Sequence, residues 1–391
     1  MVILEAFWVI CQALIGFQLV FPLLLLLLRS VLRRQNPKKI FDLSSPDYAV
    51  IVTAYEQTSQ LPDVINSILK SDYDRYLIYV VADKCDITNL HFGSDRVILL
   101  RPEQVLAGNV KSHFYAIRHF ARPHTHLTII DSDNIMEPEY LSKLNVFFAL
   151  GYKAVQGVRD AKNTNTTLAR LDAARDIYYH FYDGKMLFEA GSSATLAGSG
   201  MAFNTNLYRE CLENRDVSGA GFDKVLQHQI VSRGYRIAFA PEAIVYDEKT
   251  AGSQQLVNQR ARWINTWFKY FSLGFGLIAS GLAKFSWNRL LFGVVLLRPP
   301  LFIFLILSGL FFLINLWLAP YIAALWLAGM VLFVAGFVVA LRKSHTSPEI
   351  YKSLGRIPQF MALQLLSLLK AKRANKISVA TKHGVDDVEK P

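Results

Sequence analysis

Two acidic side chains that could hold a divalent cation follow an apolar run of the sequence. Asp131 and Asp133 come directly after residues 127–130, with one serine between them. Carboxylates at this spacing can place oxygens around a hard cation, whose remaining positions go to water and diphosphate. A solvated turn before a helix that starts at Pro138 is the alternative for the tripeptide alone. The buried character of the preceding run and the motifs farther along the chain favour the metal site.

A second set of residues suits a diphosphate and a sugar. Gln259, Arg262 and Trp263 are spaced i, i+3 and i+4, so a helix places them on one face. A guanidinium fork suits a diphosphate leaving group, and an indole suits stacking on a sugar ring. The alternative is an interfacial tryptophan beside an arginine that reaches for lipid headgroups. That alternative does not explain Gln259, so we expect a binding face.

Asp223 is a candidate general base. It starts the predicted helix over residues 223–232, which Gly234 can end. An acid at this position is commonly only a helix cap or a partner of the helix dipole. Its other role would be to take the proton from an acceptor hydroxyl. Both roles stay open at this point.

Candidates for nucleotide binding lie at the ends of predicted strands. Tyr55 and Glu56 end the first strand and Asp83 ends the second. Acceptor atoms there could bind a uracil edge and a ribose, while an aromatic ring stacks on the base. Turn acids are common, which is the alternative for each. Lys111 is a candidate cation for the nucleotide, against a solvated lysine at a helix start.

A glycine-containing run provides a further candidate contact. Gly200 and Met201 belong to residues 197–201, where the missing Cβ atoms permit close approach of the backbone to a ligand. A plain turn before the next apolar pair is the alternative.

The region between residues 40 and 262 must position these side chains. Its alternation of strands and helices predicts an α/β fold with an open, mostly parallel sheet covered by helices. Ligands bind beyond the carboxyl ends of such strands, where Asp83 and Asp131 lie. No glycine-rich dinucleotide or P-loop motif occurs, which disfavours those two classes. The predicted strands are 48–54, 76–83, 96–100 and 126–131, and the predicted helices are 61–69, 111–120 and 138–150.

The composition indicates a membrane protein. Hydrophobic residues make up 52% of the chain, and 42 Lys and Arg against 31 Asp and Glu give a net charge of +11. The basic residues cluster beside apolar runs, which favours lipid headgroups and the positive-inside bias over nucleic acid. Three long apolar runs are expected to span the membrane, for which a helix needs ~20 residues. They are residues 3–28, 301–318 and 321–341.

These features divide the chain into five predicted segments. Residues 264–282 mix apolar and small residues, which fits one helix in the membrane interface, whereas 290–297 is ambiguous. The charge bias places the large middle region in the cytoplasm, on a multi-pass protein of the cell (inner) membrane. The segments are a membrane helix in 1–30, a cytoplasmic domain in 40–263, interfacial helices in 264–300, a membrane hairpin in 301–341 and a cytoplasmic tail with an interface helix in 342–391.

Taken in order, these motifs resemble the membrane-bound family 2 glycosyltransferases. This group contains cellulose, chitin and hyaluronan synthases and, closest to this chain, bacterial exopolysaccharide glycosyltransferases. The resemblance implies a GT-A catalytic domain that binds a nucleotide sugar, usually UDP-linked, with Mg²⁺ or Mn²⁺. The matching residues are 53–56, 81–83, 131–133, 198–203, 223 and 259–263.

The resemblance also implies a role for each matching residue. Asp133 would hold the metal and Asp223 would act as the base. Gln259, Arg262, Trp263, Gly200 and Met201 would serve the diphosphate and acceptor sites, and Thr381 and Lys382 resemble a diluted gating segment. The residues expected to bind the donor nucleotide are Thr53, Tyr55, Glu56, Asp83, Lys111 and Asp131.

The expected activity is inverting transfer of a hexosyl or N-acetylhexosaminyl group from a UDP-sugar to a lipid-linked or growing polysaccharide acceptor. Membrane lipids and a homo-oligomer or export partner are the other expected partners, and nucleic acid is not. A single-sugar lipid glycosyltransferase of the ceramide type and a non-catalytic nucleotide-binding subunit are the alternatives. Two departures from the family pattern are Phe222, where many relatives have an acid, and the small number of spans.

Overall fold

The computed structural model describes residues 2–32, 45–217, 219–372 and 374. Its strands form one eight-stranded sheet in the order β3-β2-β1-β4-β7-β6-β8-β5. The strands are β1 (Tyr48–Tyr55), β2 (Tyr76–Asp83), β3 (Val97–Leu100), β4 (His126–Asp131), β5 (Ile135–Met136), β6 (Ala154–Ala161), β7 (Met201–Asn204) and β8 (Ile237–Asp247).

Helices cover this sheet and continue beyond it. A π-helix over His180–Met186 follows α5 without a break, and a short 3₁₀ turn over Leu354–Arg356 precedes α15. The α-helices are α1 (Val2–Leu32), α2 (Leu61–Leu69), α3 (Asn109–Arg118), α4 (Tyr140–Ala149), α5 (Thr167–Tyr179), α6 (Leu187–Glu189), α7 (Thr205–Leu212), α8 (Phe222–Ser232), α9 (Ser253–Tyr270), α10 (Leu273–Ala283), α11 (Trp287–Leu297), α12 (Leu301–Leu318), α13 (Pro320–Lys343), α14 (Pro348–Ser353) and α15 (Ile357–Ala371).

The sheet confirms the predicted mostly parallel α/β fold, because four of its seven strand pairings are parallel. Strand β1 lies between β2 and β4 and is parallel to both. Thr53 is therefore level with Asp131, and Tyr55 is level with Asp83. The register brings the carboxyl ends of three strands to one edge of the sheet.

The central strands are continuous apolar runs because helices cover both of their faces. Residues 48–52 of β1 are fully buried, and β2 is buried at every position except Leu77. Helix α2 contributes Leu61, Val64 and Ile68 to the same core, at the spacing expected of one helical face. These elements hold the strand ends in place beside the candidate site.

The three predicted membrane spans appear as α1, α12 and α13, which are long and apolar enough to cross a membrane. A polar cluster joins them. Gln12 Oε1 on α1 accepts hydrogen bonds from Asn315 Nδ2 at 2.6 Å and from Trp326 Nε1 at 2.9 Å. Side-chain hydrogen bonds of this kind fasten helices together where the surrounding lipid offers no polar partner.

The prediction of a single interface helix over residues 264–282 is wrong. Helix α9 ends at Tyr270 and a separate helix, α10, begins at Leu273. The small residues of α10 serve close packing against α11, because a Cβ added to Gly274 would lie 2.7 Å from the carbonyl oxygen of Gly293. Residues 290–297 belong to α11, which at eleven residues is too short to span a bilayer.

Candidate active site

A cavity of about 930 Å³ opens beside the carboxyl ends of β1 and β4 and extends to α12 and α13. Asp133, which follows β4, Asp223 on α8 and Trp263 on α9 all line it. These residues lie as much as 130 positions apart in the chain, so only the fold brings them together. The full set of predicted residues in its lining is Thr53, Tyr55, Asp131, Asp133, Asp223, Gln259, Arg262 and Trp263.

The acids at the strand end repel one another. Burial raises the pKa of Asp131 to about 7, and the negative charges of Asp133, Asp247 and Asp223 add to the shift, while Arg159 opposes it. The backbone N–H of Asp131 is fixed by a 3.0 Å hydrogen bond to Ser199 Oγ. A divalent cation would relieve this repulsion, so the donor set fits Mg²⁺ or Mn²⁺.

The protein itself supplies few ligands for such a cation. Within the described part of the chain, no group of three or more His, Cys, Asp or Glu side chains is arranged to hold a metal ion. A cation at Asp131 and Asp133 would therefore complete its coordination with diphosphate oxygens and water. This is the arrangement expected when the metal binds together with its substrate.

Gly221 allows α8 to approach α9 closely. Its φ of +97° lies in the left-handed region that favours glycine, and a Cβ there would lie 2.3 Å from Thr266 Cγ2 on α9. Asp223 stands in the first turn of α8, with its carboxylate 3.2 Å from Lys224 Nζ. The glycine thus sets Asp223 beside the helix that carries the Gln-x-x-Arg-Trp residues.

Helix α9 presents those residues to the cavity. Gln259 Oε1 accepts a hydrogen bond of 3.2 Å from Thr250 Oγ1, which ties the helix to the loop after β8. Burial lowers the pKa of the Arg262 guanidinium, which also lines the cavity. Trp263 is 37% exposed and lines the cavity.

Three residues predicted to bind the nucleotide lie outside the lining that the described residues form. The Asp83 carboxylate accepts hydrogen bonds from the backbone N–H groups of Leu106 at 3.0 Å and Ala107 at 2.8 Å. Glu56 pairs at 2.6 Å with Lys84 on the surface. Lys111 is exposed on α3, and Asn109, at the start of that helix, lines the cavity in its place.

Gly200 and Met201 also stand behind the lining. Met201 is fully buried in β7, level with Ile129 of β4. Gly200 has a φ of +63°, and a Cβ there would lie 2.8 Å from Val245 Cγ2. Both residues support the loop that holds Asp131, whereas Thr381 and Lys382 lie outside the described residues.

Sequence reasoning missed a group of buried ion pairs in the cavity wall. Arg159 on β6 pairs with Asp247 at the end of β8, and Arg260 on α9 pairs with Asp172 on α5. Arg298, after α11, pairs with Asp183 in the π-helix. Each pair joins residues about 90 or more positions apart, so no local sequence pattern predicts the pairing. Of these residues, only Arg260 could have been singled out from the sequence, because it is a second arginine within the motif at 259–263.

The far part of the cavity is apolar and reaches the candidate membrane spans α12 and α13. Phe302 and Leu305 of α12 line it, together with Phe333 and Phe337 of α13 and Met361 of α15. Tyr182 in the π-helix donates a 2.8 Å hydrogen bond to the carbonyl of Gly336, which fixes α13 to the catalytic region. The same cavity therefore has a polar end at the sheet and an apolar end between candidate membrane spans.

Comparison with known proteins agrees with this architecture. The model of the glycosyltransferase-like family 2 matches residues 46–266. The mannosyltransferase PcManGT of Pyrobaculum calidifontis, solved with GDP-Man and Mn²⁺, is similar in structure, with a TM-score of 0.55 and 15% identity over 93% of this chain and 97% of that one. TarS 1–349 of S. aureus, solved with UDP-GlcNAc, has a TM-score of 0.40 and 15% identity over 59% of this chain and 66% of that one. No curated protein sequence matches the chain.

The similarity to the mannosyltransferase PcManGT extends over nearly all of both chains, and it confirms the predicted GT-A fold. The family match covers more than half of the chain and includes every predicted motif from Thr53 to Trp263. The chain therefore belongs to the glycosyltransferase-like family 2.

Proposed function

We propose that this protein is an inverting, metal-dependent glycosyltransferase. It moves a sugar from a nucleotide donor, expected to be UDP-linked, to a lipid-linked or growing polysaccharide acceptor at the cytoplasmic face of the cell (inner) membrane. One observation carries the proposal: a single cavity is lined by Asp133, Asp223 and Trp263 at its polar end and by candidate membrane spans at its apolar end. A soluble acceptor would not need the apolar end of the cavity.

The donor binds at the sheet. Thr53 and Tyr55, which line the cavity beside the ends of β1 and β4, would hold the nucleoside, and Asp131 and Asp133 would hold Mg²⁺ or Mn²⁺ together with the diphosphate. When bound, the metal neutralises charge that develops on the departing diphosphate. Arg262 adds a second, fixed positive charge at the same group.

Asp223 acts as the general base in a single displacement. Its carboxylate takes the proton of the acceptor hydroxyl while that oxygen forms a bond to the anomeric carbon of the donor sugar. The bond from this carbon to the diphosphate oxygen breaks on the opposite face, and its electron pair leaves with the nucleotide. Configuration is therefore inverted. A positioned base supplies about 10²–10⁴-fold of rate.

Replacement of the base tests this assignment. Asp223→Asn should lower sugar transfer about 10²–10⁴-fold, because the acceptor proton has no carboxylate to receive it. UDP affinity, measured by calorimetry, should stay within about twofold, since the nucleotide is held elsewhere. Asp216→Asn, at an exposed acid outside the cavity lining, is the matched control. Turnover by Asp223→Asn near the parent rate would contradict the role.

The donor sugar and its nucleotide call for a direct screen. The mannosyltransferase PcManGT was solved with GDP-Man, which supports a sugar nucleotide but leaves the base open at 15% identity. UDP-glucose, UDP-N-acetylglucosamine, UDP-galactose and GDP-mannose should be compared for metal-dependent nucleotide release. Release from none of them would instead favour a non-catalytic, nucleotide-binding membrane subunit.

A single-sugar lipid glycosyltransferase is the second candidate. It is favoured by the three candidate spans found in the described residues, which are fewer than a self-sufficient polymer channel usually has. The apolar end of the cavity also suits a lipid more than a long polysaccharide. Chain-length determination on products made from a labelled donor separates the two, because the second candidate adds one sugar only.

A further inference from the structure

Residues 195–199 run along the cavity wall between strand β4 and helix α8. At one end of this segment, Ser199 Oγ accepts a 3.0 Å hydrogen bond from the backbone N–H of Asp131. Near the other end, the backbone N–H of Leu196 donates a 3.0 Å hydrogen bond to Gln227 Oε1 on α8. We refer to residues 195–199 as the linking segment. It joins the strand that ends at the metal-site acids to the helix that carries the proposed base.

The backbone of Leu196 is bonded to α8 through both of its polar groups. Its N–H donates to Gln227, and its carbonyl accepts a 3.5 Å hydrogen bond from Lys224 Nζ. The same ammonium group lies 3.2 Å from Oδ2 of Asp223. Lys224 therefore ties the carboxylate of the proposed base to the linking segment. Gln227 adds a second tie one helical turn after Asp223.

Gln227 makes one hydrogen bond although it is completely buried. Its Oε1 accepts from Leu196, whereas its Nε2 has no partner among the described residues. A buried amide nitrogen without a partner lowers stability, and its presence in a folded protein calls for an explanation other than packing. The bond to Leu196 provides that explanation, because it is the connection that this side chain makes.

The linking segment is itself held firmly by the elements behind it. The N–H of Thr195 donates a 3.0 Å hydrogen bond to the carbonyl of Asp183. The buried side chain of Gln156 accepts a 2.9 Å hydrogen bond from the N–H of Ala197. Its Nε2 donates a 3.1 Å hydrogen bond to the carbonyl of Ser199. The segment is thus a fixed reference, and a helix fastened to it is fixed as well.

We propose that Gln227 and Lys224 are positioning residues for the general base. They fasten α8 to the linking segment and so hold the Asp223 carboxylate in place relative to the metal site at Asp131. Such a role matters because a displacement of about 1 Å can change a rate about 10²-fold. This inference rests on the proposed function, since it concerns the base of the same reaction. Neither positioning residue belongs to the motifs that resemble the family.

Kinetics of a Gln227 variant are the first test. Gln227→Met keeps the length of the side chain but removes the acceptor of the Leu196 N–H. In the full chain it should lower kcat for metal-dependent nucleotide release about tenfold. The KM for the sugar nucleotide and the UDP affinity should stay within about twofold, because the donor is held elsewhere. Gln229→Met is the matched control, since Gln229 lies on the same helix and bonds Arg233 at the surface. An unchanged kcat in Gln227→Met would overturn the proposal.

A double variant separates positioning from general damage to the fold. In an Asp223→Asn protein there is no carboxylate to position, so addition of Gln227→Met should lower the residual rate less than about twofold. An equal loss in both backgrounds would overturn the proposal. Full activity of Asp223→Asn would instead contradict the base assignment in the proposed function.

Variants of Lys224 test the second tie. Lys224→Met should lower kcat about tenfold, with the KM for the sugar nucleotide unchanged. Lys224→Arg should restore most of the rate, because it keeps a cation that can bond both Asp223 and the carbonyl of Leu196. A rate for Lys224→Arg as low as that of Lys224→Met would contradict the role of this residue. Lys143→Met, at a surface lysine paired with Glu139, is the matched control.

Hydrogen exchange tests the fastening without any enzyme activity. Peptides that cover residues 222–232 should exchange their backbone amides about tenfold faster in Gln227→Met than in the unmodified protein, because α8 opens more readily. The same peptides should be unchanged in Gln229→Met. Unchanged exchange in Gln227→Met would overturn the inference, even if transfer were lost. Faster exchange in a protein that binds neither UDP nor GDP would support the fastening and count against the glycosyltransferase function.

Discussion

Two parts of the cavity wall bury opposite charges. At the sheet, Asp131 and Asp133 stand together at a strand end, and burial with mutual repulsion raises the pKa of Asp131 to about 7. Beside Trp263 on α9, Arg175 and Arg260 share Asp172, and Nε and Nη1 of Arg260 stay unpaired among the described residues. The strand end therefore gathers acids, whereas the wall formed by α5 and α9 gathers arginines.

This difference bears on what each part of the wall can bind. A nucleotide diphosphate can approach the acids only together with a divalent cation, which relieves their mutual repulsion. The buried arginines provide positive charge without a metal. Asp223 and Trp263 line the same cavity as both parts.

The largest expected effect comes from breaking the sheet end alone. Asp133→Asn should reduce metal-dependent transfer about 10²–10³-fold. The substitution weakens binding of the divalent cation that would neutralise charge on the leaving diphosphate. Chelation of divalent cations from the unmodified enzyme should have an equal or larger effect. Release of labelled nucleotide during titration with Mg²⁺ and Mn²⁺ provides the measurement. A variant with the parent's rate and metal requirement would refute the metal site.

Breaking the membrane end should act on stability. Asp183→Asn leaves Arg298 buried without its carboxylate, although the two now form a two-pronged ion pair. Removal of one partner of such a pair costs roughly 3–5 kcal/mol. The melting temperature in detergent should fall clearly, while UDP affinity of the folded fraction stays near the parent value.

A double variant controls for this effect. Asp183→Asn combined with Arg298→Met removes both charges, so much of the lost stability should return. If the single and double variants melted at the same temperature, the ion pair would not be the cause.

The smallest expected effect concerns the contact between α8 and α9. Gly221→Ala forces a Cβ to within 2.3 Å of Thr266 Cγ2 at a backbone conformation that alanine rarely adopts. We expect a loss of about 1–3 kcal/mol in stability and a decrease in transfer, as Asp223 shifts from the cavity. Gly252→Ala is the matched control, since a Cβ there meets nothing within 4 Å and its φ is −98°. Equal melting temperatures for the two variants would contradict the close contact.

Much of the fold follows from local pattern. The strands Tyr76–Asp83 and His126–Asp131 and the helix Leu61–Leu69 were predicted with the bounds that the structure shows, because each is a clear apolar run or a clear helical face. Strand β6 was not predicted. It carries Gly157, Arg159 and Asp160 in place of an apolar run. Glycine is needed at position 157 because a Cβ there would lie 2.4 Å from the carbonyl oxygen of Ala243, a contact made across the sheet.

The candidate site likewise has residues whose place in the cavity the sequence predicts and residues whose place it does not. Asp131, Asp223 and Trp263 were recognisable because their residue types and spacing suit the chemistry, and all three line the cavity. Asp83 and Lys111 had equally plausible local patterns, yet the first binds the backbone before α3 and the second is exposed outside the lining. A local sequence pattern indicates which chemistry a side chain can perform. It does not show which partner the fold places beside that side chain.

The sequence by itself determined the family, the order of the strand-end acids and the three apolar helices, because these depend on residue type and on spacing along the chain. Only the tertiary structure decided that Arg260 and Arg175 share Asp172 and that the polar cavity continues between α12 and α13. The physical reason is that burial and charge compensation are properties of neighbours in space. Those neighbours come from segments far apart in the chain, so their meeting has no local pattern.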